Sequence, residues 1–374
     1  MNTQIKEIVF GKEIGKFINF PHDLYANDPN YTPEIFIGQK DMMDPKKFPF
    51  HKYGNVKYYI ATQNDKIVGR IAAINNPHYN QHHKSNVGFF GFFDAINDQD
   101  VVNALLKKAE EFAIQNGYDA LIGPTNFTTN ETAGVLVEGY SEPAKIMMTY
   151  NAPYYSELLE KSNYIKEMDL YAYMIRTADV SEKSLRLSSM IEQRLKTRGI
   201  TIRNVSLKNI DEEAKKIKKV YNAAWDENWG FVPFTDEEFE FLKNDLKMIL
   251  DEKFAYIAEK DGEPIGFNIT LPNINEILIK NKRGKLFPFG IFRLLFGKKN
   301  IKYVRIIALG VVEEYRKAGI EAIFFAKNIQ QAQNSGILGG EASWVLENNE
   351  SMRAAAEHLN GVKYKTYRLY RKNL

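Results

Sequence analysis

The chain has 374 residues, of which 44% are hydrophobic and 26% charged, an ordinary globular composition whose length favours two domains over one. Its 50 Lys and Arg residues nearly balance 47 Asp and Glu residues, and a net charge of +3 is too small to indicate a nucleic-acid partner. The sequence contains no cysteine, which excludes disulfide bonds, thiolate metal sites and a cysteine nucleophile. Any basic partner site must therefore be local.

The N-terminal segment lacks the unbroken apolar core of a signal peptide. No apolar stretch is long enough to span a bilayer, and the lack of cysteine fits a reducing compartment. We therefore expect a cytoplasmic protein.

The first half, residues 1–176, predicts short strands and helices in mixed order. Two strands that flank a turn at 63–65 form the best hairpin signal, because Asn and Asp tolerate the backbone bend. Asp98 and Gly117 bound an apolar periodicity of helical spacing as N-cap and C-cap. His82 and His83 fall in a polar loop, where adjacent side chains point apart and do not readily share a metal. The predicted elements are strands at 6–10, 56–62, 66–74, 87–94, 119–123 and 167–175, helices at 101–115 and 154–162, and a partly helical region at 14–43.

The second half, residues 177–374, repeats this order after a polar connection at 177–189 and a bridging helix at 187–197. Asp261-Gly262 predicts a hairpin turn. The predicted elements are strands at 200–206, 253–259, 263–271, 303–312, 339–346 and 363–371, and helices at 211–225, from 235, at 319–335 and at 350–359. Both halves contain a hairpin, strand, helix, strand, helix and strand, which is a structural repeat without obvious sequence identity. The sequence thus predicts two α/β folds with mixed sheets flanked by helices.

The most informative stretch covers residues 308–332. An apolar strand leads into a short loop with Arg316 and Gly319, and then directly into an amphipathic helix. Such an element presents backbone N–H groups and the positive end of a helix to an anion. We therefore expect it to hold a pyrophosphate without a metal.

The same stretch resembles the acyl-CoA loop of the GNAT acyltransferase superfamily, which has the form Arg/Gln-x-x-Gly-x-Gly/Ala. Residues 316–320 follow this pattern, but Glu321 stands where the family usually has Gly or Ala, and Ala322 comes one position late. A carboxylate there competes with a phosphate for the helix dipole. The resemblance implies two GNAT-like folds in tandem, in domains 1–176 and 177–374, with acyl-CoA as co-substrate and no metal. The implied cofactor contacts are Leu309, Val311, Val312, Arg316, Lys317, Ala318, Gly319, Ile320, Ala322 and Asn349.

In the GNAT family, the strand before the loop and the strand after the helix separate around the pantetheine arm of the acyl donor. The resemblance thus places Glu341, Ser343 and Glu347 near the thioester. Acyl transfer to an amine needs a base for the ammonium proton, and Glu341 is the first candidate, directly or through water. The alternative is a structural ion pair of Glu341 with Arg353 or Arg368.

The leaving-group acid of the family does not carry over to this sequence. Its usual Tyr position, four residues before Gly361, is occupied by Glu357. Tyr364 and Tyr367 are substitutes, and both are equally consistent with packed strand residues. Asn349, at the start of the last helix, either contacts the cofactor or serves as an N-cap.

The corresponding junction of the first half, residues 93–104, has neither Gly nor Arg. We therefore expect the first half to keep the fold without the thioester site. Its long irregular segment at 123–140 is the kind of loop that carries function. Asn126, Thr128, Asn130 and Glu138 are candidates to line an acceptor pocket, although each also fits the Asx and Thr turns of a surface loop.

A basic and aromatic insertion covers residues 280–302. Lys and Arg flank an apolar centre that contains Phe287, Phe289, Phe292 and Phe296. This pattern suits insertion at the headgroup boundary of an anionic membrane, so we expect peripheral association with the inner membrane face. A core helix and a dimer contact are the alternatives. The expected headgroup contacts are Lys282, Arg283, Lys285, Lys298 and Lys299.

The elements at 316–322 and 343–348 also resemble those of the bacterial ceramide synthases, tandem GNAT-like proteins that transfer a long acyl group to the amine of a sphingoid base. This resemblance implies an N-acyltransferase that uses acyl-CoA and a lipid or other small-molecule amine. A tRNA-dependent aminoacyltransferase of the FemAB kind and a catalytically silent GNAT-like lipid-binding protein are the alternatives. We expect no nucleic-acid partner, and the oligomeric state stays open.

Overall fold

The computed structural model describes residues 2–374, apart from the side chain of Lys282. The elements of the first part of the chain are β1 (Gln4–Ile8), α1 (Ile14–Leu24), α2 (Phe36–Met43), β2 (Asn55–Gln63), β3 (Lys66–Asn75), α3 (Pro77–His83), β4 (Val87–Ala95), α4 (Gln99–Gln115), β5 (Ala120–Gly123), β6 (Thr125–Asn126), β7 (Thr132–Ala133), β8 (Val135–Glu138), α5 (Tyr155–Lys161) and β9 (Ile165–Arg176). The remaining elements are α6 (Glu182–Lys196), β10 (Ile200–Asn204), α7 (Ile210–Trp225), α8 (Asp236–Lys247), β11 (Ala255–Lys260), β12 (Glu263–Pro272), α9 (Asn275–Leu278), α10 (Gly290–Gly297), β13 (Tyr303–Val311), α11 (Ile320–Asn334), β14 (Gly339–Leu346), α12 (Glu350–His358) and β15 (Val362–Asn373).

These elements form two compact units. Unit 1 contains the chain up to Leu170, together with Asn275–Phe296 and Lys365–Leu374. Unit 2 contains Tyr171–Ile274 and Gly297–Tyr364. The sequence instead divides the chain once, at residue 176, and assigns the basic insertion to the C-terminal half. The difference arises because β9 and β15 each pass from one unit to the other, and local sequence patterns do not show which strands pair.

In unit 1, hydrogen-bonded neighbours follow the order β1-β2-β3-β4-β5. The predicted hairpin of β2 and β3 turns through Asn64 and Asp65, which have positive φ angles of 48° and 60°. β4 and β5 are parallel, as the intervening α4 requires, and the end of β15 pairs antiparallel with β5. Asp98 accepts hydrogen bonds from the first N–H groups of α4, as predicted for its N-cap. The apolar face of α4 packs into the core of the unit.

In unit 2, the order is β10-β11-β12-β13-β14, followed by residues 171–176 of β9. Asp261 and Gly262 have φ angles of 51° and 88°, so β11 and β12 form the hairpin that this dipeptide predicts. β13 and β14 are parallel and are joined by α11. Thr235 and Glu238 form a capping box that begins α8, where the sequence predicts a helix.

Both units are therefore mixed α/β structures in which helices flank a mixed sheet, and the predicted fold class is confirmed. Among the residues that the structure describes, no helix combines the length and the apolarity needed to cross a bilayer.

One segment that the sequence assigns to a loop is helical. His82 and His83 lie at the end of α3. The helix begins because the Asn76 side chain accepts a hydrogen bond from an N–H of the first turn, and Pro77 occupies the first helical position. The prediction of an extended loop is therefore wrong. The sequence suggested a loop because an Asn-Pro pair is also typical of turns.

The bridging helix α6 is longer than predicted. It begins at Glu182, whereas the sequence starts it at residue 187. Ser181 is the N-cap, and its hydroxyl accepts a hydrogen bond from the Ser184 N–H. The first turn of α6 is polar, so it lacks the apolar periodicity by which a helix is predicted from sequence.

A buried ion pair joins β3 and β4 in unit 1. Arg70 Nε donates to Asp94 Oδ2 over 2.8 Å, and the two residues are 5% and 6% exposed. The hydroxyls of Tyr25 and Tyr155 donate to the other carboxylate oxygen over 3.3 Å. Burial raises the pKa of Asp94, and the neighbouring guanidinium opposes that shift. Removal of one partner would leave an uncompensated buried charge, which is costly.

We predict that Arg70→Met lowers the free energy of unfolding by about 3–5 kcal/mol, the scale of a broken buried pair. Arg186→Met is the matched control, because Arg186 pairs with Glu182 on the exposed surface of α6 and such pairs contribute less than about 1 kcal/mol. Urea denaturation followed by circular dichroism measures both variants. Equal losses in the two variants would contradict the assigned role of the buried pair.

Candidate active site

The candidate site lies where β13 and β14 separate. The two strands pair in parallel from Tyr303 with Gly339 to Ile306 with Ala342. Beyond these pairs, β13 continues to Val311 and β14 to Leu346, and no register pairs between them occur in this described region. The gap opens toward the carboxyl ends of both strands, where α11 begins. Strand separation of this kind, which the family resemblance implied, leaves backbone polar groups for a ligand.

A β-bulge lies at the point of separation. Ala308 pairs with Ile269 and Ile306 pairs with Thr270, so Ile307 is an additional residue on β13. The additional residue of a bulge is left outside the hydrogen-bond ladder. Residues 306–309 are apolar but only half-buried, whereas residues 304–305 and 310–311 on either side are buried. The strand therefore presents both apolar surface and backbone groups at the gap.

The loop after β13 ends at Gly319, the N-cap of α11. Its φ angle of 89° lies in the left-handed region that favours glycine, and it has no side chain to cap the helix. Arg316 is exposed and its guanidinium donates to the Ala224 carbonyl at the end of α7 over 3.0 Å. The helix end, the glycine and the guanidinium together fit a pyrophosphate.

Glu321, the departure from the family pattern, lies in the first turn of α11. Its carboxylate accepts a hydrogen bond from its own backbone N–H. Burial raises the pKa of Glu321, while this N–H and Arg316 oppose the shift. A carboxyl that is easier to protonate competes less with a phosphate for the helix end.

Glu341 is fully buried on β14 and is held by three groups. The Ser343 hydroxyl donates to Oε1 over 2.6 Å, and Arg305 Nε lies 3.5 Å from the same oxygen. The Tyr364 hydroxyl donates to Oε2. Arg305 and Glu341 are also register partners on β13 and β14, in the pair before the last one. The carboxylate is therefore fixed at the closed end of the gap.

The ion-pair partners that the sequence offered for Glu341 are wrong. Arg353 donates to the Glu347 carbonyl over 3.0 Å, and Arg368 pairs with Asp169 over 2.7 Å. Arg305 takes their place because strand register, not sequence proximity, brings it beside Glu341. Its charge inside an otherwise apolar strand was the available signal, since buried charges in strands are usually paired.

The structure brings Glu341 and Tyr364 together but not Glu347. Tyr364 is half-buried, so it links the buried carboxylate to the surface. Glu347 follows the end of β14, about 20 Å from Glu341 along an extended strand. Asn349 caps α12 by accepting a hydrogen bond from the Met352 N–H over 3.1 Å.

The remaining predicted cofactor contacts differ in burial and in whether their backbone groups are already hydrogen-bonded. The Val312 N–H donates to the Ile265 carbonyl over 2.9 Å, and the Leu309 carbonyl accepts from Trp225 Nε1 over 3.3 Å. Ile320 is fully buried in the core of unit 2, so its backbone alone can contact a ligand. Val311 is buried, Ala318 is half-buried, and Lys317 and Ala322 are exposed around the helix start.

Unit 1 repeats the bulge but fills the gap. Phe92 and Phe93 lie opposite Ile71 between the pairs of β3 and β4, and Phe92 has a φ angle of 47°. Asn126 Oδ1 accepts a hydrogen bond from the Phe92 N–H over 2.7 Å. A Cβ atom on Gly91 would lie 1.9 Å from the Thr125 carbonyl oxygen. β6 therefore occupies in unit 1 the space that is open between β13 and β14.

The four acceptor candidates of this loop make hydrogen bonds within the loop or to neighbouring strands of unit 1. Asn126 also donates to the Thr132 hydroxyl over 2.6 Å, and Thr128 donates to Glu131 over 2.7 Å. The Asn130 N–H donates to the Thr128 hydroxyl over 2.9 Å, and Glu138 accepts from the Thr366 hydroxyl over 2.6 Å. These bonds hold the loop in shape, and an acceptor role for its residues stays a prediction. Across the described residues, no cluster of three or more His, Asp or Glu is arranged to hold a metal.

Comparison of the whole sequence gives relatives of nearly equal length. No protein-family model matches the chain. The bacterial ceramide synthase of Caulobacter vibrioides (strain NA1000 / CB15N) is 34% identical over 370 residues, which cover 97% of this chain and 95% of that protein. The chain belongs to the bacterial ceramide synthase family. This chain is also similar to protein YghO of Escherichia coli (strain K12), with 33% identity over 368 residues that cover 97% of this chain and 93% of YghO.

Solved structures connect this ceramide synthase family to the GNAT fold. A tandem GNAT protein from the clavulanic acid biosynthesis pathway matches 100% of this chain and 98% of its own, with a TM-score of 0.58 and 11% identity. A GCN5-related N-acetyltransferase from Sphaerobacter thermophilus matches 99% and 95%, with a TM-score of 0.54 and 12% identity. At this identity the matches show the fold alone, and they confirm that it is a tandem GNAT fold.

Proposed function

We propose that this protein is an acyl-CoA-dependent N-acyltransferase whose acceptor is a long-chain lipid amine, such as a sphingoid base. The observation that carries the proposal is the gap between β13 and β14, which leads to the uncapped start of α11. The bulge at Ile307 and the Glu341–Tyr364 pair lie beside the closed end of this gap. The name of the Caulobacter relative supports the class of acceptor.

The donor would bind with its pyrophosphate at the start of α11, where Arg316 and the first N–H groups supply positive potential. Its pantetheine arm would extend between β13 and β14, and the bulge would direct a backbone N–H at the thioester carbonyl. A preorganised donor there favours the developing oxyanion. Acyl-CoA supplies the activated acyl group, and no metal is needed for this chemistry.

The acceptor would attack as the neutral amine, and its nitrogen becomes positively charged as it forms a C–N bond to the carbonyl carbon while the C–S bond breaks. Glu341 is too buried for direct contact, so Tyr364 would take the ammonium proton while it passes its own hydroxyl proton to Glu341. Arg305 and Ser343 hold the carboxylate in place for this relay. The thiolate leaves without a dedicated acid, because its conjugate thiol has a pKa of about 8.5. It takes up a proton from solvent, and Glu341 returns its proton to solvent through Tyr364, so the protons balance.

An aromatic cluster in unit 2 lies against β13, next to this gap, and its surface suits an apolar chain. Tyr221 contacts Trp225, Phe231 and Phe234, with ring centroids 4.7, 5.5 and 5.2 Å away. A Cβ atom on Gly310 would lie 3.1–3.2 Å from Ala224, Phe267 and Trp225, so this glycine lets α7 approach β13 closely. Apolar walls of this kind favour long acyl or alkyl chains over small polar ones.

The activity is tested with purified protein, a panel of acyl-CoAs and a sphingoid base, with products identified by mass spectrometry. An N-acyl product that forms only with acyl-CoA present supports the proposal. CoA binding without any product would indicate the catalytically silent lipid-binding alternative and would contradict it.

For the donor site, we predict that Gly319→Val lowers CoA affinity at least tenfold, measured by calorimetry. The added side chain is strained at a φ angle of 89° and meets Ile191 at the helix start. Gly336→Val is the matched control, because Gly336 has a φ angle of 67° beyond the other end of α11 and open space around it. Similar CoA affinities in the two variants would remove this loop from the donor site.

For the proton relay, we predict that Glu341→Gln and Tyr364→Phe each lower kcat by about a hundredfold, the scale of a lost general base. CoA affinity should stay unchanged, since neither residue lies at the start of α11. Tyr164→Phe is the control. Tyr164 donates to Glu110 over 3.0 Å in unit 1, so this substitution removes a similar Tyr–Glu hydrogen bond away from the site. Wild-type kcat in either relay variant would make the pair structural.

A further inference from the structure

Large apolar side chains lie exposed on α10 and the turn before it. Phe292, Leu295 and Phe296 recur at helical spacing on α10, and Phe287 and Phe289 directly precede the helix. Isolated exposed apolar residues are ordinary, but a contiguous apolar patch usually marks an interaction surface. The exposed fractions are 75% for Phe287, 72% for Phe289, 56% for Phe292, 60% for Leu295 and 72% for Phe296.

The base of this segment is fixed to unit 1, so the exposed face is not a loose loop. Gly284 lies so close to the loop before α2 that a Cβ atom would be 1.7 Å from the Glu34 carbonyl oxygen. Gly290 is buried, and its Cβ position lies 2.5 Å from the Lys285 carbonyl oxygen. The Ile291 N–H donates to the Leu286 carbonyl over 2.7 Å. The fold therefore holds the phenylalanines outward.

The charged residues of the segment itself all have one sign. Residues 277–302 contain eight Lys or Arg residues and no Asp or Glu. Lys280, Lys285 and Arg293 are exposed in unit 1, and the side chain of Lys282 lies outside the described residues. Two copies of this chain related by two-fold symmetry would bring these cations against each other, which disfavours a dimer contact.

A cavity of about 640 Å³ adjoins the same segment in unit 1. Lys12, Lys16, Lys66 and Arg283 line it, and Asp23 is the acidic residue in its lining. Arg283 also pairs with Asp23, so it connects the cavity to the base of the segment. The cationic surface therefore extends from the patch into a recess that suits an anionic headgroup.

We propose that α10, with Phe287 and Phe289, is a docking surface for an anionic lipid bilayer. α10 has eight residues and is about 12 Å long, too short to span a bilayer but suited to lie at its interface. The phenylalanines insert at the headgroup boundary, while Lys280, Lys285 and Arg293 meet anionic headgroups. This docking does not depend on the transfer reaction, although it would give a lipid acceptor a route into the protein.

Flotation with vesicles tests the proposal without any acyl donor. Wild-type protein should float with vesicles of phosphatidylcholine and 30% phosphatidylglycerol, and at least tenfold less with phosphatidylcholine alone or in high salt. Replacing Phe289, Phe292 and Phe296 together by Ser should lower the partition coefficient at least tenfold. Replacing the exposed Ile114, Met190 and Met248 by Ser is the control and should leave it unchanged.

Thermal melts and light scattering complete the test. Unchanged melting and a constant oligomeric state in the Phe variant show that the lost residues act at the membrane. Wild-type protein that does not float, or a Phe variant that dissociates from dimer to monomer, would overturn the proposal. If the Phe variant unfolds, the double variant Lys285→Gln and Arg293→Gln replaces it, since both side chains are exposed. Flotation of this double variant at the wild-type level would also overturn the proposal.

Discussion

The separation of β13 from β14 is the constraint on which the rest of unit 2 depends. Backbone groups in the middle of a sheet are costly when they are left without partners. Arg305 and Glu341 form the pair before the last one, and Ser343, just beyond the last pair, bonds to Glu341. The bulge at Ile307 follows the last pair on β13. α11 then starts at the open end with a glycine that has no side chain to cap its first turn. The proposed donor, an anionic ligand with an extended arm, would satisfy both ends of this arrangement.

Comparison of the two units shows why one fold can be used in two ways. Both units carry a bulge at the same place, between the last hairpin strand and the strand before the central helix. In unit 1, Asn126 takes the N–H at the bulge, and a buried Arg70–Asp94 pair fixes the strands. Unit 1 is thus closed by its own chain, whereas unit 2 is left open, and the catalytic proposal rests on this difference.

Local patterns in the sequence predicted most elements, because caps and turns act over a few residues. Asp98 at α4 and Asp261-Gly262 between β11 and β12 are examples. The grouping of Arg305, Glu341 and Tyr364 could be predicted only in part, since it depends on the register of three strands. The start of α3 and the membership of residues 275–296 in unit 1 also escaped prediction. Contacts between distant segments leave no periodic signal along the chain.

The central claim is that the donor binds between β13 and β14, and a crystal structure with CoA tests it most directly. The account predicts density for the pyrophosphate within hydrogen-bond distance of the first N–H groups of α11. It also predicts density for the pantetheine arm along residues 306–309, ending near Glu341 and Tyr364. The account would be contradicted if CoA bound elsewhere and the gap between β13 and β14 were closed or filled by protein side chains.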